Sequence, residues 1–232
     1  MTLFDTRNAI NKCNVKCPLK QKHKAEFVYF EYHGKLENVD TVFVGECPDE
    51  SEAKHKQPFY SKTYSGKILR QIIKDLNLQN YGIANIVCCR PTVILFPQNI
   101  TVKAGEFSGT TRIDNIYNYK GISIRNRTPS EKECDYCIDH LKVFLKYINP
   151  KSTVILLGKT AAFSIFKNVK QVVKDNKTIT ALTKLPPLKF RNRVFASNFH
   201  PRYVGSAGGI GSKRYREYLK RMKKILKINK GI

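Results

Sequence analysis

The sequence predicts an α/β fold: a three-layer α/β/α arrangement with a four-stranded, mostly parallel central sheet and a β-rich insertion. Short runs of β-branched and aliphatic residues alternate along the chain with segments of helical periodicity, which is typical of βαβ units. The apolar runs are nearly continuous, as expected for strands that helices cover on both faces. Hydrophobic residues make up 41% of the 232 residues, enough for a core, and we interpret residues 1–232 as a single domain.

Four apolar runs are predicted to be the strands of the sheet. They are 41–46 (TVFVGE), 83–89 (IANIVCC), 152–158 (STVILLG) and 193–201 (RVFASNFHP). Parallel strands all end at one edge of their sheet, and ligands of open α/β sheets bind at that edge. The loops after the first, second and fourth strands carry Gly-Glu-Cys-Pro, Cys-Arg-Pro and His-Pro, so we expect the functional site there.

Helical periodicity is found in the segments between and after these strands. The predicted helices are 65–76 with Ser65 as its cap, 128–148 with Thr128 or Ser130 as its cap, 159–166, and the strongly basic 212–228. Residues 92–127 show no helical period and contain three glycines between β-prone runs. Because a stretch of about 35 residues is too long for an ordinary loop, we interpret it as a β-rich insertion.

Charge indicates the class of partner. The chain carries 42 Lys and Arg against 18 Asp and Glu, a net charge of +24. Such an excess favours a polyanionic partner, and nucleic acid is preferred over an anionic membrane surface, although lysine-rich composition also arises from genome bias or solubility. No stretch is apolar enough to span a bilayer and the N-terminus lacks an apolar signal core. The expected location is intracellular: the cytoplasm, near the nucleoid, or the equivalent compartment of a viral host.

Five short motifs follow one another at the boundaries of the predicted elements. They are GECPD (45–49) with PF (58–59) and SGKIL (65–69), NIVCCRP (85–91), NRTPSE (126–131), PKSTVILLGKTAAFSIF (150–166) and FHPR (199–202). In this order they resemble the family 4 uracil-DNA glycosylases, the iron–sulfur members of the uracil-DNA glycosylase superfamily. The resemblance covers about residues 10–228 except the insertion. It departs from the family pattern at Cys47, Asp49 and Arg202, where the family has Ala or Gly, Gly, and Ser.

The resemblance implies a monofunctional hydrolase that flips uracil out of DNA, breaks its N-glycosidic bond and leaves an abasic site for base-excision repair. Phe59 corresponds to the ring on which the uracil stacks, and Asn85 to the amide that pairs with uracil O4 and N3–H. His200 corresponds to the group that donates to uracil O2 and stabilises the leaving anion. Glu46 corresponds to a carboxylate that orients water or offsets positive charge on the sugar, and Cys47 borders the base through its backbone.

The residues after His200 are expected to contact DNA. In the family this region enters the minor groove, and Arg202, Tyr203 and Ile210 are the candidates to replace the lost stack. Lys213 and Arg214 begin the basic C-terminal helix and are candidate phosphate contacts. The competing interpretation is that the charges of this helix only form its solvated face. We expect a monomer that acts on single- or double-stranded uracil-containing DNA, without a membrane, and with a replication or repair protein as a further partner.

The seven cysteines are expected to be thiols or metal ligands rather than disulfides. By resemblance to the family, four of them hold a four-iron, four-sulfur cluster, because soft thiolates suit iron–sulfur centres. These four are Cys13, Cys17, Cys89 and Cys137. Cys88 and Cys134 are alternative ligands. A zinc site or a set of buried free thiols are the competing interpretations.

Two other functions remain open. The first is a catalytically weak or inactive iron–sulfur protein that binds DNA or serves replication with the same fold. The second is a glycosylase for another deaminated base, such as hypoxanthine. The joint presence of Glu46, Phe59, Asn85 and His200 favours the uracil enzyme.

Overall fold

The computed structural model describes residues 17, 19, 28, 30–95, 123–167, 179–206 and 208–229. The strands in chain order are β1 (Glu31–Tyr32), β2 (Thr41–Gly45), β3 (Tyr81–Asn85), β4 (Thr92–Leu95), β5 (Ser123–Asn126), β6 (Thr153–Leu157), β7 (Leu188–Phe190) and β8 (Arg193–Asn198). The helices are α1 (Glu50–His55), α2 (Tyr64–Asp75), α3 (Glu131–Tyr147), α4 (Lys159–Phe166), α5 (Ile179–Lys184), α6 (Pro201–Gly205) and α7 (Lys213–Asn229). A short 3₁₀ turn spans Leu36–Asn38.

A six-stranded sheet forms the centre of the fold, in the order β1-β3-β2-β6-β8-β7. The four inner strands are parallel to one another, and β1 and β7 pair antiparallel at the two edges. The prediction of an α/β fold with a mostly parallel sheet is therefore confirmed, but the predicted count of four strands is wrong. The edge strands have only two and three residues and are half-buried or exposed, so they lack the apolar run that predicts a strand from sequence.

Two strand ends differ from the prediction. β3 ends at Asn85, and the chain then leaves the sheet while Ile86 and Val87 still donate to the carbonyls of Gly45 and Glu46 at 2.9 Å. β8 ends at Asn198, and His200 becomes the N-cap of α6. Both differences shorten the strands and place the functional candidates beyond the edge of the sheet.

Side chains alternate between two apolar layers on the faces of the sheet. Val42, Val44 and Leu156 point into a cluster with α3, α4 and α5. Phe43 and Ile155 point into a second cluster with α2 and α7. This alternation buries every residue of β2 and β6, which explains why these strands read as continuous apolar runs.

Capping residues fix where the helices begin. Ser130 caps α3 in a capping box with Glu133, which confirms one of the two predicted caps. Ser65 is not the cap of α2, because the hydroxyl of Thr63 accepts the N–H of Gly66 at 3.1 Å and the helix begins one residue before Ser65. The sequence interpretation did not include α1, whose capping box joins Asp49 and Glu52.

The two ends of the predicted insertion pair with each other. β4 and β5 run antiparallel, from Thr92 opposite Asn126 to Leu95 opposite Ser123. Residues 96–122 lie outside the described residues, so the β-rich character of the whole insertion stays a prediction. Within the described ranges, no helix has the length and apolarity needed to cross a membrane.

Candidate active site

The chain brings its motifs together at the carboxyl edge of the parallel strands. Gly45 at the end of β2 lies opposite Asn85 at the end of β3. β6 and β8 end side by side at Leu157 and Asn198, and His200 follows two residues later. The loops that the sequence analysis selected therefore meet at one edge of one sheet.

Phe59 and Asn85 lie against the same glycine. A Cβ atom built on Gly45 would stand 2.4 Å from Oδ1 of Asn85 and 2.5 Å from Cε2 of Phe59. No real Cβ tolerates such contacts, so Gly45 lets the amide and the ring approach each other closely. The ring of His200 stacks beside Phe59 with centroids 5.4 Å apart and planes 27° apart.

The amide of Asn85 is buried and has an unused donor. The residue is 4% exposed, and its Nδ2 has no hydrogen-bond partner. The Asn85 side chain also interacts with the Glu52 carboxyl and lowers the pKa of that group, although Nδ2 meets no acceptor in hydrogen-bond geometry. An unsatisfied buried donor costs about 1–3 kcal/mol, so a ligand acceptor that meets Nδ2 recovers that free energy.

A hydrogen bond on one side and a closely packed glycine on the other hold the loop that presents Phe59. Phe59 has a left-handed backbone with φ of 49° and is 3% exposed. Its N–H donates to Oε1 of Glu52, and Gly66 of α2 packs on its carbonyl oxygen. Burial raises the pKa of Glu52 to about 7, against the lowering influence of the N–H groups of Asp49 and Phe59.

His200 is held as a neutral imidazole. Its Nδ1 accepts the backbone N–H of Arg202 at 3.2 Å, so the ring proton resides on Nε2. Burial first, and the charge of Arg202 second, lower the pKa of His200 to about 4. At neutral pH the residue is therefore a hydrogen-bond donor through Nε2 that carries no charge.

Glu46 is oriented by a residue that the sequence analysis missed. The hydroxyl of Thr160, in the first turn of α4, donates to Oε2 of Glu46 at 2.7 Å. The only sequence signal for Thr160 is its position just after the third parallel strand. Cys47 is half-buried with its Sγ 3.9 Å from Oε1 of Glu46, and burial first, then the charges of Glu46 and Glu52, raises the pKa of its thiol well above its usual value.

Aromatic and cationic side chains follow His200 in the chain. Tyr203 is 40% exposed, stacks on Phe199 with centroids 4.4 Å apart, and has the guanidinium of Arg214 4.3 Å from its ring centroid. Arg202 and Lys213 are exposed. Two further exposed apolar side chains, Ile210 and Tyr64, are each 54% exposed, and Tyr64 was not among the predicted contacts.

Three of the four predicted cluster ligands lie in one region. Cys17, Cys89 and Cys137 are buried in the same apolar cluster, and a hydrogen bond with Cys17, with burial second, raises the pKa of the Cys137 thiol far above its usual value. Cys88 and Cys89 also face Cys137. Cys13 lies outside the described residues. Cys134 instead lies beside Ser164 and near Glu46.

The described cysteines are not grouped around one metal position in the structure. In the described part of the chain, no group of three or more His, Cys, Asp or Glu side chains is arranged to hold a metal ion, and the described cysteines form no disulfide.

The fold and site define a class: an open α/β protein with an aromatic ring, a buried amide and a neutral imidazole at the carboxyl edge of its sheet. A family model described as "Uracil DNA glycosylase superfamily" matches residues 32–223. The chain belongs to the uracil-DNA glycosylase superfamily.

Two similar proteins are both named Type-4 uracil-DNA glycosylase. The one from Thermotoga maritima is 28% identical over 171 residues, which cover 72% of this chain and 68% of that protein. The one from Sulfurisphaera tokodaii is 24% identical over 166 residues, which cover 70% of this chain and 60%, less than two thirds, of that protein. The resemblance stated from the motifs is thus confirmed.

Proposed function

We propose that this protein is a monofunctional uracil-DNA glycosylase that hydrolyses the N-glycosidic bond of an extruded deoxyuridine in DNA. The observation that carries the proposal is the buried, unpartnered Nδ2 of Asn85 beside the ring of Phe59. A flat base with an acceptor on its edge satisfies both groups at once. Uracil offers O4 to Nδ2 and N3–H to Oδ1, whereas cytosine presents the opposite polarity at both positions.

The chemistry of bond cleavage follows from two further residues, His200 and Glu46. As the glycosidic bond breaks, negative charge grows on uracil and positive charge on the sugar. His200 donates from Nε2 to uracil O2 and so stabilises the departing anion, and a neutral imidazole does this without giving up its proton. Glu46, held by Thr160, offsets the sugar charge and orients the attacking water. Water alone completes the reaction, and an abasic site remains.

DNA is the partner that the exposed residues suit. Tyr203 and Ile210 are flat or apolar side chains that replace the stack left by an extruded base. Arg202, Lys213 and Arg214 supply positive charge at the same edge for phosphates. The extrusion cost of a few kcal/mol is repaid by stacking on Phe59, worth about 1–3 kcal/mol, and by the hydrogen bonds of Asn85.

An oligonucleotide assay tests the function. We expect the protein to release uracil from single-stranded DNA and from U:G and U:A pairs, leaving sites that alkali cleaves. Asn85→Ala is expected to slow release by more than tenfold, about 1.4 kcal/mol or more, with DNA affinity nearly unchanged. Asn38→Ala, at an exposed asparagine of the 3₁₀ turn, is the matched control. No release from any substrate by the wild-type protein would refute the proposal in favour of a DNA-binding accessory protein.

We further propose that Cys13, Cys17, Cys89 and Cys137 hold a four-iron, four-sulfur cluster. The hydrogen bond between Cys17 and Cys137, the electrostatic interaction of Cys89 with Cys137 and the shared buried cluster support this assignment. When bound, the cluster supplies a covalent link between the N-terminal segment and the sheet, and the proposed reaction needs no step through it. Anaerobically purified protein is expected to contain four irons per chain. Cys137→Ser should lower iron content while Cys134→Ser should not; stoichiometric zinc in colourless protein would overturn the assignment.

A further inference from the structure

We propose that Glu52 is a positioning residue for the proposed glycosylase reaction: its carboxylate fixes the Phe59 loop so that the ring faces the extruded base. This inference rests on the proposed function and assigns a role to a residue whose two side-chain oxygens both accept backbone N–H groups. The two oxygens of Glu52 bind two separate parts of the loop. Oε2 accepts the N–H of Asp49 at 2.8 Å, and Oε1 accepts the N–H of Phe59.

The second of these contacts exceeds what a helix cap requires. In a capping box the glutamate returns to the N–H of the capping residue, and Asp49 provides that partner. The bond to Phe59 spans seven residues and reaches past the end of α1. The carbonyl oxygen of Glu52 also accepts the N–H of Gln57 at 3.1 Å. One buried residue therefore holds both ends of the segment that carries the ring.

Phe59 needs such an anchor because its backbone is unfavourable. A non-glycine residue in the left-handed region costs about 1–2 kcal/mol, and Phe59 has φ of 49°. The opposite side of the loop is fixed by α2, where Gly66 packs directly on the carbonyl oxygens of Phe59 and Tyr60. Glu52 on one side and Gly66 on the other hold the loop, and the ring then lies against Gly45 and Asn85.

The setting of Glu52 favours a structural anchor over a catalytic acid or base. The residue is 8% exposed, and both of its oxygens are occupied by backbone N–H groups. Burial and the nearby charge of Asp49 work against its ionised form, while the two backbone amides and the Asn85 side chain favour it. The contacts that this buried carboxyl makes with the Phe59 loop explain why an acidic residue stands at a site where burial opposes its charge.

A double-mutant cycle tests this role. We expect Glu52→Ala to lower kcat/KM on a uracil oligonucleotide about tenfold, with a smaller loss in Glu52→Gln, which keeps one acceptor oxygen. In a Phe59→Leu background, Glu52→Ala should cost less than about twofold, because the ring it positions is already absent. Asp49→Ala is the matched control, since it removes the α1 cap but leaves the contact to Phe59 possible.

A second readout does not depend on activity. Hydrogen exchange of the Phe59 backbone amide should be faster by at least tenfold in Glu52→Ala than in Asp49→Ala, when both fold by circular dichroism. Equal exchange rates in the two variants, or an undiminished effect of Glu52→Ala in the Phe59→Leu background, would overturn the proposal. If the wild-type protein fails to release uracil, the proposed function fails, and the exchange measurement still decides whether Glu52 anchors Phe59.

Discussion

The protonation state of His200 illustrates how the surroundings of one residue set its role. Desolvation lowers its pKa to about 4, with a further contribution from Arg202, and Nδ1 is already occupied by a backbone N–H. The ring therefore stays neutral throughout the physiological range and keeps its proton on Nε2. A charged imidazolium would attract the uracil anion more strongly, but charging this ring costs the free energy that burial imposes.

The pH dependence of the reaction follows from this state. Because the pKa of folded His200 lies below the unfolded value, its neutral form persists as pH falls through 6.5. Protonation of Nδ1, which breaks the bond from the Arg202 N–H and loosens the ring, should change the rate only as pH approaches 4. The same shift means that His200 contributes stability above pH 6.5 that is lost as pH falls toward 4. Single-turnover rates between pH 4 and 8 test this. A half-loss near pH 6.5 that disappears in His200→Gln would contradict the assignment.

Thr160 provides a second prediction at the level of a residue. Its hydroxyl fixes one oxygen of Glu46 at 2.7 Å. Hydrogen bonds to charged groups contribute about 1.5–3 kcal/mol, so Thr160→Val should lower kcat by about tenfold or more and leave KM nearly unchanged. Thr160→Ser keeps the hydroxyl and should restore most of the rate. Equal loss in both variants would assign Thr160 to packing of α4 rather than to Glu46.

At the scale of elements, α2 depends on a glycine where helices usually disfavour one. A Cβ on Gly66 would stand 2.0 Å from the carbonyl oxygen of Tyr60 and 2.6 Å from that of Phe59. Backbone atoms cannot move aside as a flexible side chain does. The glycine thus allows the first turn of α2 to press on the loop that carries the stacking ring.

Gly66→Ala is therefore expected to destabilise the protein. In an exposed helix interior this change stabilises by about 1 kcal/mol, but here the clash with two carbonyl oxygens should lower the free energy of unfolding by about 1–3 kcal/mol. Urea unfolding measures the difference. Lys67→Ala, at the neighbouring exposed position, is the control and should change stability by less than about 0.5 kcal/mol. A gain in stability for Gly66→Ala would show that α2 does not rest on this loop.

The elements that the sequence predicted are those whose residues face apolar layers. The parallel strands and the apolar face of α3 repeat with periods set by burial, so they are legible without the structure. The edge strands β1 and β7 follow from backbone pairing with a neighbour rather than from an apolar pattern. α1 has six residues, too few for a helical period.

The residues of the site can also be divided into those that a sequence pattern predicts and those that it does not. Phe59, Asn85 and His200 follow strand ends or motifs, and the chain places them together at one edge, while their chemical roles stay predictions. The contacts of Glu52 and Thr160 were not predictable from a sequence pattern. One is a hydrogen bond to a backbone N–H past the end of α1, and the other joins two residues 114 positions apart. Every residue except proline has a backbone N–H, so a side chain that binds such a group produces no recognisable sequence pattern.

At the scale of the whole molecule, the net charge of +24 governs association with DNA. The charge is spread over the chain, but only the cations near the pocket edge approach phosphates in the proposed complex. Arg214 lies on the ring of Tyr203 at that edge. Lys189 of β7 is exposed and pairs with Val194 at the opposite, amino end of β8. Arg214 and Lys189 therefore carry the same charge, but only Arg214 lies near the proposed DNA contacts.

Substituting Arg214 and Lys189 one at a time distinguishes a specific phosphate contact from a general effect of the protein's net charge. The affinity for DNA should fall with rising salt, since each neutralised phosphate releases counterions and contributes a slope of about −0.9. Arg214→Gln is expected to reduce the magnitude of that slope by about one and to weaken binding to all sequences, because a phosphate contact is lost. Lys189→Gln removes an equal charge and should leave the slope within error of wild type. Equal effects of the two changes would mean that DNA responds to the total charge and that the pocket edge forms no discrete phosphate contact through Arg214.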